Sequence, residues 1–166
     1  MVKLIFYGGV NEIGGNKILL EHKDTRVFFD FGQSFNFGSK YFTGWLLPRA
    51  LNGLGDYFEF DLLPRIKGLY AEKLLLNTDL EYHEPSVNAV FLSHVHFDHV
   101  GHLPFLDPQI PVYLGAGAKL FLDVMEKTSQ HYDFGVHPYR LFRTGDRILI
   151  GDFIVEPVHV LSLIHI

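Results

Sequence analysis

The chain has 166 residues, 48% of them hydrophobic and 20% charged, which gives enough apolar content for one domain with a buried core and excludes a disordered tail. Its 14 basic and 19 acidic residues leave a formal charge of −5, so it is not built to grip nucleic acid through bulk charge. There is no cysteine, which excludes disulfides and thiolate metal sites and leaves imidazole and carboxylate as metal donors.

Residues 2–7 are apolar and β-prone, and they lack the charged lead and long apolar stretch of a signal peptide. Gly14 and Gly15 mark a turn, after which residues 16–21 and 26–30 continue as strands, so the opening is expected to be a β-meander. Residues 33–86 carry three prolines and aromatic side chains without a clean period. Short helices are expected within 48–63, and a connection this long is expected to form a lid or wall over a site. Residues 88–93 are a buried strand, and 111–114 another. Apolar positions at 118, 120, 121, 122, 124 and 125 predict a helix over 116–128 packed on a sheet. Residues 147–150 and 153–160 predict a hairpin around the two-residue turn Gly151-Asp152. The alternation predicts an α/β (α+β) protein with mixed β-sheets. No apolar run approaches the roughly 18 residues of a membrane span, so a cytoplasmic protein without a membrane partner is expected.

The chemistry concentrates in Ser93-His94-Val95-His96-Phe97-Asp98-His99, at the end of the 88–93 strand. Loops at strand ends are where a rigid scaffold presents reactive groups. In extended backbone His94 and His96 project to one side and can share a cation. If a helix follows, Asp98 and His99 swing to a second position nearby. Four donors in six residues suit two divalent ions better than one, zinc before manganese or iron, since nitrogen and oxygen donors without sulfur fit zinc best. Two such ions clamp both oxygens of a displacement. His102 stands open between ligand, supporting residue and solvated side chain.

The His-x-His-x-Asp-His run resembles the signature of the metallo-β-lactamase superfamily. Gly8-Gly9-Val10-Asn11-Glu12-Ile13-Gly14-Gly15-Asn16, followed by Phe29-Asp30-Phe31-Gly32, is similar to the opening of the ribonuclease J and β-CASP nuclease branch. The resemblance implies an αββα sandwich with the metals at one edge of two packed sheets. It implies that His94 and His96 hold the first metal and that Asp98 and His99 hold the second, with Asp98 also holding or activating the hydrolytic water. Asp30 matches the early aspartate that orients the metal loop by hydrogen bonding, a supporting catalytic role. Read without the resemblance, Asp30 is a strand-end or turn carboxylate.

The family also needs a third histidine, a bridging aspartate and a late histidine, and none has a match in Leu161-Ser162-Leu163-Ile164-His165-Ile166. Residues 1–160 are therefore expected to be a partial, N-terminal metallo-β-lactamase domain. Residues 161–166 are expected to be a foreign or cut tail, and the piece itself to be an incomplete, inactive site. His159 and His165 are candidate substitutes, each read first as a strand or tail residue. The expected activity of the intact parent is hydrolysis of RNA phosphodiesters, exonucleolytic or endonucleolytic, by a metal-activated hydroxide. The alternatives are a small-molecule hydrolase acting on a thioester, lactone or phosphodiester, and a non-catalytic subunit keeping the fold. RNA is the implied partner, and a homodimer is left open.

Overall fold

The computed structural model of the chain describes residues 1–36 and 46–160. Strands β1 (Val2–Phe6), β2 (Ile18–His22) and β3 (Thr25–Phe29) form the antiparallel meander, with Leu4 opposite Leu20 and Leu20 opposite Val27. Three further strands, β4 (Ala89–Phe91), β5 (Val112–Gly115) and β6 (Tyr139–Phe142), join edge to edge and run parallel to β3. The result is one mixed six-stranded sheet in sequence order. Strands β7 (Ile148–Ile150) and β8 (Phe153–Val155) form a separate hairpin, closed by the two residues the sequence assigns to its turn.

Side-chain alternation assigns the two faces of the large sheet. Leu19, Phe28, Val90, Leu92, Val112 and Leu114 point into the main core, where they meet Tyr57, Phe58, Tyr70, Leu103 and Leu122. Val27, Ala89 and Phe91 point the other way and meet Ile150, with Phe153 and Val155 packed beside it. The central strands are covered on both faces, which is why β4 reads as an unbroken apolar run. Each such fully buried side chain contributes roughly 1.5–3 kcal/mol of hydrophobic stabilisation. Helix, large sheet and small sheet thus stack as α, β and β layers, with helix α3 (Ala116–Thr128) set against β5 and β6.

Several elements differ from expectation. The long stretch before β4 was expected to cover a site; over 46–86 it instead fills the core. Leu54, Tyr57, Phe58 and Tyr70 there are all 1% exposed or less. Its regular structure is one short helix, α1 (Gly55–Glu59), and a single 3-10 turn at Glu72–Leu74. The aromatic residues without a period are core plugs, each set by its own turn, so no helical or strand spacing develops. The strand expected over 153–160 ends at Val155, two residues before Pro157, whose ring removes a ladder donor. Strand β6 was not anticipated: it is short, its residues are only partly covered, and it forms the sheet edge beside β5. The 161–166 tail, with His165, lies outside the described residues.

Candidate metal centre

Strands β3 to β6 are parallel, so their C-terminal ends share one edge of the sheet. Open α/β sheets place ligands at such edges. Asp30 directly follows β3, and Ser93 and His94 follow β4 after Leu92, so neighbouring strands deliver the carboxylate and the histidine run to the same place. Asp30 takes a left-handed φ of 59° at the strand end, a conformation Asp tolerates better than branched residues do. It is buried, and its carboxylate accepts the Ser93 main-chain N–H (2.8 Å) and sits 2.7 Å from His99 Nδ1. The strand-end carboxylate therefore ties down both ends of the histidine loop.

His96 is extended (φ −66°, ψ 148°), and helix α2 (Phe97–Val100) starts directly after it. This is the extended-then-helical path expected from the sequence. It sets His94 Nε2 3.1 Å from His96 Nδ1, and His99 Nε2 3.3 Å from Asp98 Oδ2. The two pairs adjoin, with the His94 and His99 ring centroids 3.9 Å apart. Among the described residues no three His, Asp or Glu side chains already enclose a single ion, and the donors come as two pairs. A tetrahedral zinc with spokes of about 2.0–2.1 Å has an edge of roughly 3.3–3.4 Å between donors, a separation that the Asp98–His99 pair has and the His94–His96 pair, at 3.1 Å, approaches. The donor chemistry and the spacing both fit divalent metal.

Burial, followed by the neighbouring His99 and His96, pulls His94 below the ordinary imidazole range, which favours the neutral, donor form. For His99 burial acts in the same direction, but hydrogen bonding and charge from Asp30 and then Asp98 outweigh it and raise the group. Both carboxylates favour the protonated ring, so an ion at Nε2 competes with a proton there while Asp30 keeps its hold on Nδ1.

The glycine-rich opening packs directly on this loop. Asn16 donates its main-chain N–H to Asp98 O (3.0 Å), and its side-chain amide lies 3.2 Å from His99 Nε2. Gly32 approaches so closely that a Cβ there would lie 1.8 Å from Asp98 O. Gly14, at φ +80°, would put a Cβ 2.6 Å from that of Asp98. Only glycine fits at both places. The glycines are thus a cradle under Asp98, a role their spacing alone did not announce.

The other candidates fall elsewhere. His102 is fully buried, stacked on Phe105 at 5.1 Å and edge-on to Tyr57, and burial holds it well below its ordinary value. It belongs to the core and is not a solvated side chain. His159 is exposed, donates its main-chain N–H to Thr144 Oγ1 (2.9 Å), and lines a cleft of about 580 Å³ that Ser93, His94, Phe121 and Arg143 also border. Sequence reasoning carried Ser93 only as the head of the histidine run. Its hydroxyl lies within 3.1 Å of Asp30, His94 and His99, and a hydroxyl directly preceding the run was the available signal.

A mixed sheet faced by a second sheet carries the paired histidine and aspartate side chains at its C-terminal edge. The chain belongs to the metallo-beta-lactamase superfamily, whose family model matches residues 67–166. It is 28% identical to ribonuclease J of Helicobacter pylori, over 96% of this chain and 19% of that protein. It is also 28% identical to ribonuclease J of Thermus thermophilus, over 92% of this chain and 23% of the relative. The chain spans about a fifth of the length of these curated relatives. A solved structure of a protein of unknown function from Enterococcus faecalis V583 superposes with a TM-score of 0.72 at 28% identity, covering 96% of this chain and 37% of that one. Among the described residues no helix is long and apolar enough to cross a membrane.

Proposed function

We propose that this chain carries the metal-holding loop of a ribonuclease of the J type, which hydrolyses RNA phosphodiesters in the cytoplasm. The observation that carries the reading is the pair of donor edges, His94 with His96 and Asp98 with His99, in a chain similar to two proteins named ribonuclease J. His94 and His96 would hold one divalent ion, and Asp98 and His99 a second. Zinc suits these donors best, with manganese or iron as alternatives. When bound, such ions supply Lewis-acid charge to the reacting phosphate. Asp30 acts behind them: it fixes the Ser93 main chain and holds the His99 ring by Nδ1, so that Nε2 faces Asp98. Asp98 sits at the first turn of α2, where the helix end favours its negative charge.

The test is metal-dependent cleavage of an end-labelled RNA by the intact parent expected from the sequence, run beside thioester, lactone and phosphodiester small molecules. RNA cleavage that needs added metal and disappears in Asp98→Ala supports the reading. Turnover of a small substrate with RNA left intact replaces it with a small-molecule hydrolase. One observation favours that second reading: the cleft beside His94, at about 580 Å³, has the size of a small-ligand pocket.

A further inference from the structure

Ser93 reaches Asp30 through both its main chain and its side chain. Its N–H donates to Asp30 Oδ1 at 2.8 Å, which already anchors the end of the β4 strand. The hydroxyl is then surplus to the backbone, yet it sits among four polar atoms. Oγ is 2.8 Å from Asp30 Oδ2, 3.1 Å from Asp30 Oδ1, 3.0 Å from His94 Nδ1 and 3.1 Å from His99 Nδ1. A hydroxyl has one proton to give and two lone pairs to offer. A carboxylate only accepts, so the Ser93 proton goes to Asp30. The oxygen can then only accept from a ring nitrogen, so His94 must carry its proton on Nδ1. That leaves a lone pair on His94 Nε2, the atom that faces His96 Nδ1 at 3.1 Å.

We propose that Ser93 is a positioning residue, a hydroxyl relay that extends the hold of Asp30 to His94 and fixes that imidazole as the Nδ1–H tautomer with Nε2 turned toward the space it shares with His96. The metal-binding consequence rests on the proposed function, whereas the tautomer does not. Asp30 thus controls two rings, His99 directly at 2.7 Å and His94 through one intervening oxygen. A ring nitrogen fixed by the hydrogen bond of its opposite nitrogen is the general means by which proteins prepare histidine for a metal.

The experiment uses the metal-free protein with ¹⁵N-labelled histidine at pH 8, where two-bond proton–nitrogen spectra identify which ring nitrogen is protonated. In the wild type and in Ser93→Thr, which keeps the hydroxyl, His94 is expected as the Nδ1–H form. In Ser93→Ala a substantial Nε2–H population should emerge. Zinc affinity, read by competition with a chromophoric chelator, should fall about 10- to 100-fold in Ser93→Ala and stay within about threefold in Ser93→Thr. An Nε2–H His94 in the wild type overturns the relay without recourse to any variant. Equal losses in the alanine and threonine variants would also overturn it, because packing and not the hydroxyl would then be the cause. A wild-type protein that shows the expected tautomer but binds no zinc keeps the relay and sinks the metal reading instead.

Discussion

Lys17 is the residue most at odds with its surroundings. It is 3% exposed, donates to Gly15 O at 3.3 Å, and lies 5.9 Å from the centre of the Phe31 ring. Burial pulls its amine down to about 8, against a smaller opposing pull from Glu12. The unfolded chain holds this proton up to its ordinary value of 10.5, so between about pH 8 and 10.5 the unfolded state binds more protons than the folded one. Stability from this group therefore rises with pH across that window, and below it the full penalty, about 3 kcal/mol, remains. Lys17→Met should stabilise the protein at pH 7 by about 1–3 kcal/mol, the lost contacts offsetting part of the gain. The gap between variant and wild type in denaturant midpoint should close as pH rises toward 10. A gap that stays constant or widens contradicts a buried, strained ammonium. Asp98 gives the other prediction at this scale. Asp98→Ala should weaken zinc binding by more than about 100-fold, beyond what residues behind the ligands usually cost. Asp123→Ala, which breaks a part-buried pair with Lys119 on α3, away from the histidine run, should leave affinity unchanged. Similar losses from both, measured by chelator competition, would place the ion elsewhere.

At the scale of elements, the glycine opening and helix α2 behave as one unit, because main-chain bonds join Asn16 to Asp98 and Phe31 to His99. Gly32→Ala would drive a methyl group into the Asp98 carbonyl, and both partners are backbone that cannot swing aside. A loss of about 3 kcal/mol or more is expected, at the upper end of overpacking costs, with zinc affinity falling alongside. Gly117 is the contrast. It lies in helix α3 with nothing within 4 Å of an added Cβ, so Gly117→Ala should stabilise by about 0.5–1 kcal/mol. Chemical denaturation of the two variants checks both signs.

At the scale of the whole molecule, the small sheet is covered on one face only. Ile150 packs inward against Val27, Ala89 and Phe91, while Leu149 and Ile154, directly paired across the hairpin, are 72% and 55% exposed. Exposed apolar strand faces invite association. Replacing both by threonine keeps β propensity and removes apolar surface. The double variant should bind less of a hydrophobic dye and stay monomeric at higher concentration in light scattering. Its melting temperature should remain within about 2 °C of the wild type, since surface changes are usually within about 0.5 kcal/mol. A large fall in melting temperature would mean that this face is buried in the folded protein.

The histidine run was legible because its spacing is local: extended backbone turns His94 and His96 to one side, and the helix that follows carries Asp98 and His99 to a neighbouring position. The meander, helix α3 and the hairpin turn were legible for the same reason, each being encoded by a short period or by paired turn residues. Residues 46–86 carried no period, because their aromatic side chains enter the core one at a time from irregular backbone, and strand β6 was hidden because pairing with β5 defines it more than its own pattern does. Asp30, Ser93 and the glycine cradle are separated from their partners by up to 84 residues of chain, as from Gly14 to Asp98. Only the parallel pairing of β3 with β4 brings the two strand ends together, and that pairing is a choice of the folded sheet, since neither segment contains the other's hydrogen bonds.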